Sequence, residues 1–140
     1  MVVSALSNEP QTKKTHHWLA NQQAGTLYIS DWTITEFSSA LSMKLRIGHI
    51  DTGQRAECLA LFARLVEENL IVLEPQSRNF RTAATYIDQY QTGLRAGDAL
   101  HLAICAQHGT RLVTYDKLLA KAALVLGIPT LDKSEIFGKN

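Results

Sequence analysis

The chain has little of what several large protein classes require. It contains two cysteines in 140 residues, Cys58 and Cys105. Both fall in apolar helical patterns, which reads as buried thiols and leaves no basis for a disulfide framework or a zinc site. No apolar run approaches the ~20 residues of a membrane-spanning helix. The start, MVVSALSNEP, lacks the basic region and apolar stretch of a secretory signal. A cytoplasmic protein with no membrane segment is the expectation. An excess of one charge is missing too. Lys and Arg number 14 against 13 Asp and Glu, a net charge of +1, so any contact with nucleic acid must come from a local patch. The patterns G-x-x-x-x-G-K-S/T, G-x-G-x-x-G and G-x-S-x-G are absent. That removes nucleoside triphosphate, dinucleotide and serine-hydrolase chemistry of those kinds.

What is present suits one folded domain over residues 1–140: 46% hydrophobic and 19% charged residues, with no repeat, linker or low-complexity segment. Residues 2–7 read as the first turns of a helix. A second helix runs from Gln11 to Gln23 and is stopped by Gly25. Leu27–Ser30 is a strand. Helices follow over Thr33–Ile47 and Gln54–Glu68, with apolar stripes Phe37, Ala40, Leu41, Leu45 and Leu59, Phe62, Ala63, Val66. Leu70–Leu73 is a continuous apolar run, the pattern of a strand covered on both faces. Ser77–Tyr90 is helical and breaks at Gln91–Leu94. Ala96–Gln107 is apolar nearly all round, as a central helix is. Leu112–Tyr115 is a strand, Lys117–Leu126 a helix, Pro129–Leu131 a short edge strand and Lys133–Phe137 a last helix. Strands alternating with helices predict an α/β domain with a mainly parallel sheet.

Three acids stand where strands hand over to helices: Glu36, Asp98 and Asp116. Each has a plain structural explanation. Thr33 and Glu36 fit a T-x-x-E capping box. Asp98 in a first helical turn complements the helix dipole. Asp116 stands where an N-cap belongs. Strand-to-helix junctions at one edge of a parallel sheet converge, however. Carboxylates gathered there repel unless a divalent cation lies among them, and Mg²⁺ takes oxygen ligands of this kind. Lys13, Lys14, His16 and His17 form a small basic face, read as solvated. His101 and His108 lack a third ligand at metal-binding spacing.

The segments VVSALSNEP, YISDWTITEFSSAL, LRAGDALHLAICAQHGTRLVTYD and LAKAALVLGIPTL carry a resemblance. The chain resembles a PIN-domain protein, and within that family a VapC-type toxin of a type II toxin–antitoxin system. DALHLA with LVTYD is the most specific part. The resemblance implies a three-layer α/β fold with strand order 3-2-1-4-5. It implies a four-acid site holding Mg²⁺ or Mn²⁺ for RNA hydrolysis, leaving a 5′-phosphate and a 3′-hydroxyl. Glu36, Asp98 and Asp116 match three of the four acids, as both metal ligands and catalytic residues. Thr114 matches a hydroxyl position, and Arg95 lies in the segment before Asp98, where contact with phosphate and a surface or packing role are both open. An RNA substrate, a cognate antitoxin and a homodimer are the implied partners, with the Phe37–Leu45 and Leu59–Val66 helices as candidate surfaces.

The family pattern opens with a strand ending in Asp-Thr-Ser ahead of the VVSAL helix. This chain starts inside that helix, so the first strand and first acid are missing from the expected fold, which leaves two strand pairs. The expectation is that a GTG valine codon has been read as the initiator at Met1 and that an in-frame upstream strand would restore the pattern. The chain as written is then expected to be less stable than an extended one. Two functions follow: a metal-dependent endoribonuclease toxin, or a catalytically impaired module that binds antitoxin or RNA without cutting. A phosphoacceptor receiver domain is disfavoured, because it needs a lysine followed by proline near its end, and no lysine here precedes a proline.

Overall fold

A computed structural model describes residues 17–131 apart from Ala24. The expected helices at 2–7 and Lys133–Phe137, the basic residues Lys13, Lys14 and His16, and the question of a first strand and first acid lie outside the described residues. Of the helix expected over Gln11–Gln23, residues 17–20 are described and helical.

The chain divides into two compact units, Met1–Leu73 and Glu74–Asn140. In the first, strand β1 is Tyr28–Ser30, helix α1 Asp31–Arg46, helix α2 Thr52–Asn69 and strand β2 Ile71–Leu73. The strands pair in parallel, with Tyr28 opposite Ile71, Ile29 opposite Val72 and Ser30 opposite Leu73. A helical connection is what a parallel pair needs, since a tight hairpin cannot join parallel strands. Ile29, Phe37, Leu41 and Phe62 form the core, with Ile34, Ile50, Cys58, Leu59, Val66 and Leu70 packed on it. The Phe37 and Phe62 rings lie 4.1 Å apart at 33°.

Two expectations are corrected here. Helix α1 starts at Asp31, not Thr33, because Ser30 caps it. The Ser30 hydroxyl and the Thr33 amide pair while the Thr33 hydroxyl accepts from the Ser30 amide. Thr33 is thus the inner partner of the capping box, and Glu36 is released from that role. Strand β2 is not covered on both faces: Ile71 and Val72 are 39% and 37% exposed. It is a three-residue strand with β1 as its described neighbour. Phe37, Leu41 and Phe62 are buried and Leu59 and Val66 pack on them. These side chains form the unit's own core.

Helix α2 shows local specification most plainly. The Asp51 carboxylate accepts from the Gln54 amide at 2.8 Å, and the Gln54 side chain accepts from the Asp51 amide at 2.9 Å. Asp51→Ala is expected to lower stability by about 1 kcal/mol, the usual effect of losing an N-cap. Denaturant melting checks it.

In the second unit, helix α3 is Ser77–Asp88, a 3₁₀ turn covers Tyr90–Thr92, helix α4 is Ala96–His108 and helix α5 is Lys117–Val125. Gly93 and Gly109 end the turn and α4 with φ of 65° and 61°, conformations that favour glycine. Buried Asn79 ties α3 to α4, its amide donating to the Gln107 side chain. As expected for a central helix, α4 buries Ala99, Leu100, Leu102, Ala103 and Ile104. Leu102 joins Leu112, Leu119, Ala122, Ala123 and Ile128 in one core, with Tyr86, Leu94, Cys105 and Leu126 against it.

The strands expected at Leu112–Tyr115 and Pro129–Leu131 contract to one parallel bridge, Leu112 with Thr130. Leu112 donates to the Pro129 carbonyl at 2.8 Å and accepts from the Leu131 amide at 2.9 Å. Pro129 has no amide to extend the ladder. Among the described residues each unit thus carries one parallel pairing, a ladder in the first and a single bridge in the second. Among the described residues no helix is long and apolar enough to cross a membrane.

Candidate active site

The three acids are divided between the units. Glu36 lies in the second turn of α1, half-buried, in the first unit. Asp98 and Asp116 belong to the second. Asp98 is the third residue of α4, also half-buried. The N-cap of α4 is Arg95, whose side chain makes no capping bond. A first-turn carboxylate therefore complements a helix end whose cap residue brings no acceptor.

Asp116 caps α5. Its Oδ1 accepts from the Leu118 amide at 2.8 Å and the Leu119 amide at 3.1 Å. Both bonds fall on one oxygen, so the cap does not use Oδ2. Two residues earlier stands Thr114, whose hydroxyl accepts from the Asp116 amide at 3.1 Å. That bond fixes the backbone from which the carboxylate projects. Helices α4 and α5 share the core through Leu102, Leu119, Ala122 and Ala123, so the elements bearing Asp98 and Asp116 are packed into one cluster. Arg95 is exposed at the start of α4. Ser30 was not singled out from the sequence. The signal was available in its place directly between strand and helix, with a hydroxyl residue three positions on.

The remaining reactive groups point away from nucleophilic chemistry. Burial pushes the Cys105 thiol above its ordinary range, partly offset by a hydrogen bond with Thr110. Burial and neighbouring Glu57 push Cys58 up, against the pull of Lys44. Both are protonated at neutral pH, and the thiolate is the nucleophilic form. Within neither unit do three or more His, Cys, Asp or Glu side chains gather into a metal-holding group among the described residues.

Asp116 allows a clean separation of roles. Asp116→Asn keeps a carbonyl oxygen for the cap, so its melting midpoint is expected to stay close to that of the parent. Asp116→Ala is expected to lose about 1 kcal/mol. If the carboxylate also has a chemical role, both variants lose activity equally.

An α/β chain with acids at the starts of α4 and α5 and in α1 defines a class of acid-bearing fold rather than a single activity. The comparison with protein families narrows it. The model of the PIN domain matches residues 1–124, and the chain belongs to that family. PIN domains are generally nucleases that use divalent metal ions. No curated protein matches the chain.

Proposed function

We propose that the protein is a metal-dependent endoribonuclease, the toxin of a VapC-type toxin–antitoxin pair, with Glu36, Asp98 and Asp116 as its metal-binding and catalytic acids. The observation that supports this most is the donor set carried by a PIN-family chain: three carboxylates, two of them at helix starts. The set suits a hard divalent ion such as Mg²⁺ or Mn²⁺, which prefers oxygen donors. The Asp116 cap employs Oδ1 alone, which leaves the chemistry of the second oxygen compatible with a ligand role.

When bound, such an ion supplies Lewis acidity: it lowers the pKa of a water and offsets charge on the phosphate. The carboxylates' part is to hold that charge in place and to orient the attacking water. Thr114 holds the Asp116 backbone. The products would carry a 5′-phosphate and a 3′-hydroxyl. The reading includes a cognate antitoxin and a homodimer as partners, and a cytoplasmic location.

A second reading is favoured by one observation. Asp116 is fully accounted for by its capping bonds, so its presence does not require catalysis. A module that binds antitoxin or RNA without cutting is the alternative. Incubating the chain with labelled single-stranded RNA in Mg²⁺ or Mn²⁺, with and without EDTA, decides between them. Cleavage that stops in EDTA supports the nuclease; binding without cleavage in any metal supports the module.

A further inference from the structure

With the stripes of α1 and α2 committed to the core, exposed apolar side chains on α5 stand out. Leu119, Ala122 and Ala123 form its buried face. At about 100° per residue, the opposite arc carries Lys117, Leu118, Lys121, Leu124 and Val125. All five are exposed, with Leu118 at 73%, Leu124 at 67% and Val125 at 66%. The outer face of a packed helix is ordinarily polar. Here it is aliphatic apart from two lysines, and it bears no acid. We propose that this face of α5 docks an acidic amphipathic helix of a protein partner, which sets apolar side chains against Leu118, Leu124 and Val125 and carboxylates against Lys117 and Lys121. The proposal does not rest on the nuclease reading.

Charge complementarity selects this occupant over others. Lys121 is the central residue of Lys117–Val125 and also the centre of the exposed arc. A second copy of α5 docked about a two-fold axis would bring Lys121 against itself, because a two-fold interface matches a patch with the same patch. Like charges there oppose association. A single-stranded nucleic acid seeks aromatic platforms along a basic groove, and this arc offers aliphatic groups, which do not stack on bases. A helix lying on a lipid surface separates its charged face from its apolar one, whereas the lysines here lie between Leu124 on one side and Leu118 with Val125 on the other. A partner helix with glutamates set among leucines satisfies both features at once.

The test uses the full chain and two synthetic helical peptides of identical leucine pattern, one bearing glutamates and the other lysines at the remaining contact positions. Fluorescence anisotropy at low salt is expected to show the acidic peptide binding at least ~tenfold more tightly. Lys121→Glu should reverse the preference, and Leu124→Gln should weaken the acidic peptide. Both positions are exposed, so circular dichroism should show unchanged folding. Equal binding of the two peptides overturns the proposal, as does a preference that Lys121→Glu leaves intact. Binding of a single-stranded oligonucleotide or of anionic vesicles that both substitutions abolish would assign the face to that ligand and overturn it as well.

Discussion

Asp98→Asn is expected to reduce RNA cleavage at least ~10²-fold. The amide is nearly the same size as the carboxylate, but it neither offsets the charge of a divalent ion nor matches its preference for anionic oxygen. Asp98 is the third residue of α4, and removing a first-turn charge forfeits about 0.3–1 kcal/mol of dipole interaction. The two quantities therefore separate. Initial rates on a labelled oligonucleotide give one, and a denaturant melt of the same preparation gives the other. A variant that melts like the parent and cuts like the parent would reduce Asp98 to a helix-end charge, and the metal site proposed around it would fall.

The largest effect on stability is expected from Phe37→Ala. Phe37 is fully buried and its ring packs on Phe62 at 4.1 Å. Truncating a buried phenylalanine costs about 3–5 kcal/mol, from lost transfer energy and the cavity left behind. A typical domain has only about 5–15 kcal/mol in total. Met43, on the same helix, is 50% exposed, and Met43→Ala should stay within about 0.5 kcal/mol of the parent. Equal midpoints for the two variants in urea would mean that the Phe37–Phe62 contact is not the centre of the first unit's core.

The helices were legible in the sequence because burial imposes a 3.6-residue period on α1, α2 and α5, and because Gly109 marks a stop that few other residues tolerate. Their edges were less so. Ser30 and Thr33 are both competent caps, and the choice between them depends on where β1 releases the chain. The extended segments were read by composition, yet an apolar run does not say how many neighbours a strand has. Leu70–Leu73 looked covered on both faces, and Ile71 and Val72 remain exposed. The run at Leu112–Tyr115 looked like a full strand, and it makes one bridge opposite a proline-bearing segment. The stripes of α1 and α2 illustrate the same limit: an apolar face has the same spacing whether it packs on its own chain or on another. The candidate acids were visible as residue types at junctions. What only coordinates supply is the division of labour within one carboxylate, as at Asp116.

That division has an evolutionary consequence. An aspartate that caps a helix is retained by selection for folding even after selection for catalysis has ceased. A descendant of this chain that no longer cuts anything would keep Asp116, because Leu118 and Leu119 still need an acceptor. In a lineage drifting from enzyme to binding module, position 116 should therefore be among the last to change, so a survey of relatives should not take aspartate at 116 as a sign of activity.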